Sequence, residues 1–139
     1  MKTLHLNLKE KWFEMIFNGE KTEEYRDIKD HWVKRLTQPT DEGVRVSDVI
    51  YHLNGGDWHP FKSSEFEFSY YDTITFSNGY ASERPQFEIE LKVIEIKEGN
   101  RELGAEPGKR YFVLKLGKIL NDVNCAKFAW NKSIKNEIS

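Results

Sequence analysis

The stretch TLHLNLKEKWFEMIFNGEKTEEYRD, residues 3–27, decides the fold. It opens with leucines at every second position, which is the alternation of a half-buried β-strand. Aromatic and aliphatic side chains then recur four residues apart between Trp12 and Phe17, and this spacing puts them in one stripe on a helix. The stretch therefore predicts a strand over 3–8 followed by a helix over 9–18.

Two signals mark the ends of this helix. Asn7 stands three residues before Glu10, the spacing of an N-terminal capping box, so we expect the Asn7 side chain to cap the first turn. Asn18-Gly19 supplies a residue that adopts the left-handed conformation in which helices end. The residues 21–27 that follow predict a short strand.

The rest of the chain predicts mainly strands with short connections. We expect one or two helical turns over 30–36 and strands over 48–53, 72–76, 86–97 and 111–116. A half-step in the apolar pattern at Val93-Ile94 predicts a bulge or a switch of faces. Because strand–helix–strand alternation is missing, we do not expect a parallel sheet. The elements predict an α+β fold: a small antiparallel or mixed β-barrel of about six strands with one or two flanking helices.

Length and composition narrow the class of protein. A chain of 139 residues suits one domain, whose core is large enough to stand without metal or disulfide. The single cysteine, Cys125, predicts a buried thiol and favours the cytoplasm. No apolar run approaches the roughly 20 residues that cross a bilayer, so we expect no membrane partner. The histidines lack zinc-site spacing and no cofactor motif is found, so we expect neither metal nor cofactor.

The formal charge of −2 hides an uneven distribution. Residues 41–96 contain four basic and eleven acidic side chains, whereas residues 1–40 carry +1 and residues 97–139 carry +4. This distribution argues against broad electrostatic coating of nucleic acid. It permits a small site that holds one nucleotide.

Aromatic residues make up 14% of the chain, and some lie outside the predicted core elements. The irregular insertion 54–71 is long for a loop, so it is either functional or an extra hairpin. Trp58 and, further on, Tyr80 are flanked by glycine and polar residues, which makes them candidates for stacking on a base. The insertion also leaves open a protein-interaction domain that uses 54–71 as its binding surface.

The run GEKTEEYR, residues 19–26, carries the densest chemistry. Lys21 stands at a helix-to-strand turn with carboxylates beside it, which is an environment that tunes pKa values. Arg26 offers a planar fork for phosphate or carboxylate. On a straight strand Lys21 and Glu24 face opposite sides, so they converge only if Lys21 still belongs to the turn. We expect that convergence because Gly19 lies two residues earlier.

These features resemble the ASCH domain family of the PUA-like barrel superfamily. The run Asn18–Arg26 is similar to the family's G-x-K-x-x-x-x-R signature at its helix end. The strand 3–8 and the aromatic helix precede it, and the later FSNGY, residues 76–80, and the paired strands 86–97 and 110–117 have a similar order and spacing. The resemblance covers roughly residues 3–118.

The resemblance implies a closed barrel with a ligand cleft between the helix and the barrel. It implies a barrel domain over 1–120, a C-terminal extension over 121–139, and RNA or a modified nucleotide or nucleoside as partner. Lys29 and Arg35 are further candidates for phosphate contacts. The ligand-binding residues that we predict are Lys21, Glu23, Glu24, Arg26, Trp58 and Tyr80.

The resemblance also raises an enzymatic alternative, because some small family members hydrolyse acetylcytidine. In those members a lysine, a threonine and a later glutamate carry the reaction; carried over, the lysine is Lys21 and the threonine position holds Glu24. A carboxylate lacks the proton that a hydroxyl nucleophile transfers, which counts against this amidohydrolase interpretation. The later glutamate stays open between Glu98, Glu102 and Glu106.

Overall fold

The computed structural model describes residues 1–39, 43–55 and 66–128. A short 3-10 turn, Arg101–Leu103, precedes the last strand. The helices and strands follow in the order β1 Thr3–Asn7, α1 Glu10–Phe17, β2 Glu23–Asp27, α2 Asp30–Leu36, β3 Thr37–Pro39, α3 Val46–Leu53, β4 Phe66–Phe68, β5 Thr73–Ser77, β6 Gln86–Glu98 and β7 Arg110–Val123.

Five strands form a mixed sheet in the order β1-β5-β6-β7-β2, and β3 pairs with β4 in a second sheet. The α+β class and the mixed sheet are confirmed. Strands β1 and β5 are parallel, with Leu4 opposite Ile74, whereas β5 and β6 are antiparallel, with Ile74 opposite Ile89. The sheet is therefore mixed rather than wholly parallel, as the sequence predicts, and the chain from α1 to β4 is long enough for the crossover that the one parallel pair β1–β5 requires. Among the described strands β1 and β2 end the order, so the closed six-stranded barrel is not confirmed.

The α1 helix ends as the sequence predicts but begins differently. Gly19 has φ +80, and the amides of Gly19 and Glu20 donate to the carbonyls of Ile16 and Met15 at 3.1 and 2.9 Å. This is the Schellman pattern that satisfies the last carbonyls of a helix. The predicted capping box was wrong, since Asn7 closes β1 and donates its amide to the Gly79 carbonyl at 2.9 Å.

The predicted strand over 48–53 is wrong, because these residues belong to α3. Val49 and Leu53 are four residues apart and both are buried, which is helical spacing. The Arg45 amide donates to the Asp48 carboxylate at 3.0 Å and fixes the first turn. The β-branched residues had favoured a strand, but the tertiary contact of one apolar stripe overrides that propensity.

The chain divides into two units, of which the first comprises Met1–Glu24, Tyr71–Val93 and the described part from Lys115 onward. Its core is an aromatic cluster in which Phe13 of α1 lies edge-on to Phe87 of β6, at a centroid distance of 4.8 Å. Phe128 packs on Phe13 at 5.1 Å. Cys125 is buried, as predicted, and burial raises the pKa of its thiol.

The second unit comprises Tyr25–Tyr70 and Ile94–Leu114. Tyr25 of β2 packs on Tyr111 of β7 with ring centroids 5.5 Å apart, beside buried Ala105 and Val113. Buried residues of α2 and α3 add to its core, with Leu36 fully excluded from solvent. The sequence predicted the helical turn in α2, although the chain continues directly into β3.

Strand β6 changes its buried face along its length. Phe87 and Ile89 are buried at odd positions, and the next buried residue is Ile94 at an even position. Because side chains alternate between faces along a strand, the inward face must have shifted between these residues. The buried face therefore changes between Ile89 and Ile94, which agrees with the predicted bulge or switch of faces at Val93-Ile94.

Candidate functional site

The turn after α1 brings Lys21 and Glu24 together. The Lys21 ammonium lies 2.8 Å from Oε1 of Glu24. Its backbone amide donates to the Met15 carbonyl at 3.0 Å, so Lys21 still belongs to the turn that Gly19 begins. The predicted convergence of the two side chains is confirmed.

This ion pair is closed to solvent. The side chains of Lys21 and Glu24 are 2% and 5% exposed, and the Trp12 ring lies 4.3 Å from the Lys21 ammonium. Trp12 therefore adds a cation–π contact to a desolvated pair. A substrate that reacts at these groups requires the pair to open, so their catalytic role stays a prediction.

Asn18 is the C-terminal cap of α1 in the same turn, and burial of its side-chain amide is energetically unfavourable. Both polar atoms of its side-chain amide are buried, and neither has a hydrogen-bond partner in the part of the chain that the structure describes. An unsatisfied buried amide costs roughly 1–3 kcal/mol, because the group has lost its water without replacement. The turn thus combines a buried charge pair with an unsatisfied amide.

Glu23, a predicted ligand-binding residue, has a structural contact. Its Oε1 accepts a hydrogen bond from the Lys115 ammonium at 3.1 Å, and the Glu23 side chain is 14% exposed. This contact joins β2 to β7, which are neighbours in the sheet. Ligand contact by Glu23 stays a prediction.

Arg26, the last residue of the signature-like run, belongs to the second unit and contacts an aromatic ring. Its guanidinium carbon lies 5.1 Å from the centre of the Trp32 ring, and that of Arg35 lies 5.4 Å from the same centre. Arg26 also donates to the Tyr25 carbonyl at 2.9 Å. We call Arg26, Trp32 and Arg35 the Arg–Trp–Arg cluster.

Sequence reasoning included both arginines of this cluster but missed Trp32, which it assigned only to a helical turn. The available signal was the spacing of Trp32 and Arg35, three residues apart on α2, which puts them on one face. Lys29, the other predicted phosphate contact, lies 3.7 Å from the Asp27 carboxylate. A hydrogen bond to that same carboxylate raises the pKa of Lys109.

Tyr80 and Lys21, which the sequence predicted to contact the same ligand, do not line the same groove. Tyr80 is 88% exposed and lines a groove in the first unit, and neither Lys21 nor Glu24 is among the described residues that line this groove. Trp58 and most of the insertion 54–71 lie outside the described residues. The three candidate later glutamates are exposed side chains of the second unit: Glu98, Glu102 and Glu106.

The described residues contain no cluster of three or more histidine, cysteine or carboxylate side chains arranged to hold a metal ion. None of the described helices has the length and hydrophobicity to span a bilayer. Comparison of the chain with protein-family models, with curated proteins and with solved structures finds no match. The likeness to the ASCH domain therefore stays a prediction that rests on the signature-like run.

Proposed function

We propose that the protein binds single-stranded RNA or a nucleotide through the Arg–Trp–Arg cluster. The observation that supports this function is the placement of two guanidinium groups against one half-buried tryptophan. The same two arginines belong to the phosphate contacts expected from the sequence. The resemblance to a family of RNA-binding domains is itself a prediction, and it agrees with this proposal.

The cluster has the chemistry that single-stranded RNA requires. Guanidinium planes stack on unpaired bases, and their forked N–H groups donate two parallel hydrogen bonds to a phosphate. Contact with an aromatic ring holds a long arginine side chain in place, so that less rotamer entropy is lost when a phosphate binds. Trp32 therefore acts as a support that orients both arginines.

Local charge also favours an anion at this segment. Residues 26–35 contain four basic and two acidic side chains, within a chain whose net charge is −2. A cationic segment on an acidic protein attracts phosphate locally without coating the whole surface. The proposed ligand is accordingly a short strand that makes a few phosphate contacts.

The test is binding of a fluorescently labelled oligoribonucleotide, measured by anisotropy at several salt concentrations. We expect Arg35→Gln to weaken binding and to reduce the slope of log affinity against log salt by about 0.7, the value for one phosphate contact on a single strand. Trp32→Leu should weaken binding as well, because both arginines lose their support. Arg101→Gln is the matched control, since Arg101 is an exposed arginine elsewhere in the same unit.

Two outcomes contradict the proposal. The first is no binding of the oligoribonucleotide by the unmodified protein at about 50 mM salt, where phosphate contacts are strongest. The second is an equal loss with Arg35→Gln and Arg101→Gln, which would show a response to net charge alone. Circular dichroism of each variant separates loss of binding from loss of structure.

A further inference from the structure

A groove opens in the first unit where two parallel strands end. Strands β1 and β5 run side by side with Asn7 opposite Ser77, so both finish at the same edge. The groove has a volume of about 460 Å³, within the range of small-molecule sites. Its lining includes His5, Asn7, Ser77, Gly79, Tyr80 and Arg84.

Hydrogen bonds fix the walls of this groove. Asn7 donates to the Gly79 carbonyl at 2.9 Å, and Asn78 donates to the Leu8 carbonyl at the same distance. The Leu8 amide in turn donates to the Ser77 carbonyl at 2.8 Å. These bonds join the end of β1 to the turn after β5, so the groove is formed before any ligand arrives. A preformed site avoids the entropy cost of ordering loops on binding.

The side chains at the rim offer a ring and positive charge. Tyr80 is 88% exposed, and such an aromatic side chain is a platform for stacking. Among the described residues, the Arg84 side chain donates from Nη1 to the Ala81 carbonyl at 3.1 Å, and a guanidinium fork has further N–H groups that can reach a ligand. Among the described lining residues none is acidic, and Arg84 carries a positive charge. The groove therefore suits a planar ligand that carries an anionic group.

We propose that this groove binds a planar heteroaromatic ring bearing a phosphate, which is the chemistry of a nucleoside monophosphate. The ring stacks on Tyr80, and the phosphate accepts hydrogen bonds from Arg84. Two sources share this chemistry: a free mononucleotide and the phosphorylated end of an RNA strand. This groove is a second site, which uses none of the residues of the Arg–Trp–Arg cluster.

The test is titration of the full chain with adenosine 5′-monophosphate, followed by amide shifts in ¹H–¹⁵N NMR spectra. We expect saturable shifts at Ser77 and Gly79, with adenosine and inorganic phosphate each binding at least about fivefold more weakly, because each lacks one of the two contacts. Competition by a 5′-phosphorylated oligoribonucleotide identifies a strand end as the source. Its failure to compete identifies the free mononucleotide.

Tyr80→Ala should weaken adenosine 5′-monophosphate binding about five- to 150-fold, the range for loss of one base–aromatic stack. Tyr80→Phe keeps the ring and should bind nearly as well as the unmodified protein. Arg84→Gln should remove the preference for the phosphorylated ligand over adenosine. Tyr51→Ala is the matched control, since Tyr51 is an exposed tyrosine of the second unit at 55%.

Two results overturn the proposal. One is the absence of saturable shifts with either the nucleotide or the phosphorylated strand at about 1 mM, which would mean that the dissociation constant exceeds about 1 mM. The other is equal binding by Tyr80→Ala and Tyr51→Ala. The amide shifts at Ser77 and Gly79 report on this groove, whereas the salt dependence of RNA binding tests the Arg–Trp–Arg cluster. Failure of one proposal is therefore distinguishable from failure of the other.

Discussion

Lys21 and Glu24 form an ion pair from which water is almost excluded, and this makes each side chain depend on the other. Removing one partner of a buried pair leaves an uncompensated charge, which costs about 3–5 kcal/mol. We therefore predict that Lys21→Met lowers the free energy of unfolding by about that amount. Replacing both groups together, as Lys21→Met with Glu24→Leu, should recover most of the loss, because well-packed apolar residues often substitute for a buried pair at little cost.

Urea unfolding of the two single variants and the double variant measures this coupling. A double variant as unstable as the sum of the singles would contradict it, because the two side chains would then contribute independently. The coupling also matters for function. A binding assay on Lys21→Met alone would confuse loss of a ligand contact with loss of the fold.

Asn18 makes a second prediction at the same turn. Its buried amide lacks hydrogen bonds to the described residues, so its removal relieves a desolvation cost without breaking a bond. We predict that Asn18→Leu, which is similar in size, raises the free energy of unfolding by about 1 kcal/mol. Asn54→Leu is a matched control, since Asn54 is an exposed asparagine at the C-terminal end of α3. A destabilised Asn18→Leu protein would show that the amide has a structural role.

Single residues were predictable where one local rule decides their conformation. The positive φ of Gly19 was predictable because a helix commonly ends at a left-handed residue. The convergence of Lys21 with Glu24 was predictable because Lys21 follows that glycine by only two residues. Asn7 was misassigned because its partner, the Gly79 carbonyl, lies 72 residues away. Arg84 was missed for a similar reason, since the groove that it lines forms only when β1 and β5 meet.

Hydrogen bonds to the Glu88 carboxylate link four strands of the sheet. The Thr73 hydroxyl of β5 donates to the Glu88 carboxylate of β6 at 2.7 Å, and the hydroxyls of Thr73 and Thr3 of β1 lie 2.8 Å apart. Asn121 of β7 donates to the other oxygen of Glu88 at 2.9 Å. Hydrogen bonds from Thr73, Asn121 and Thr3 lower the pKa of Glu88, because they stabilise its charged form.

This lowered pKa predicts a specific acid dependence. The folded protein holds the charged carboxylate better than the unfolded chain does, so Glu88 contributes stability above the ordinary glutamate pKa of about 4.3. That contribution is lost as the pH falls through the lower folded pKa. Glu88→Gln should therefore be less stable than the unmodified protein near neutral pH, and the gap should narrow under acid conditions.

Urea midpoints across an acid-to-neutral pH series check this prediction. Glu83→Gln is the control, since Glu83 is an exposed glutamate of the same unit. A gap between Glu88→Gln and the unmodified protein that stays constant with pH would contradict it. The effect would then come from packing of the side chain, because packing does not titrate.

Elements were predictable where their apolar residues have one clear period. The pattern predicted α1 and the face switch in β6, but it failed at α3, where Val49 and Leu53 satisfy a helix and the β-branched content suggests a strand. Strand β7 continues to Val123, well past the predicted end at 116. Its second half is mostly exposed, and it is held by bonds such as that from the Lys118 amide to the Glu90 carboxylate at 3.0 Å, which no periodicity reveals.

At the scale of the molecule, the order of predicted strands and helices indicated the α+β class, whereas the topology depended on long-range pairing. The parallel pairing of β1 with β5 joins residues about 70 positions apart, so no local pattern encodes its direction. The candidate sites also combine features that the local sequence predicts with features that depend on the tertiary structure. The signature-like run identified Lys21, Glu24 and Arg26, but it could not show which of them are buried.

The chain beyond residue 120 also contributes to the core of the first unit. Phe128 is 1% exposed and packs on Phe13 and Phe17 of α1, at centroid distances of 5.1 and 6.5 Å. Truncation of a buried phenylalanine to alanine removes apolar burial and leaves a cavity, at a cost of about 3–5 kcal/mol. We predict that Phe128→Ala lowers the free energy of unfolding by that amount.

Leu120→Ala provides the control, because Leu120 is 47% exposed on β7 and should change stability by no more than about 0.5 kcal/mol. Urea unfolding of both variants, followed by circular dichroism, measures the difference between them. If Phe128→Ala were as stable as Leu120→Ala, the aromatic cluster would hold without its C-terminal member. A loss within the predicted range would instead make Phe128 part of the folding unit that contains α1, β1, β5 and the phosphate-binding groove proposed at their edge.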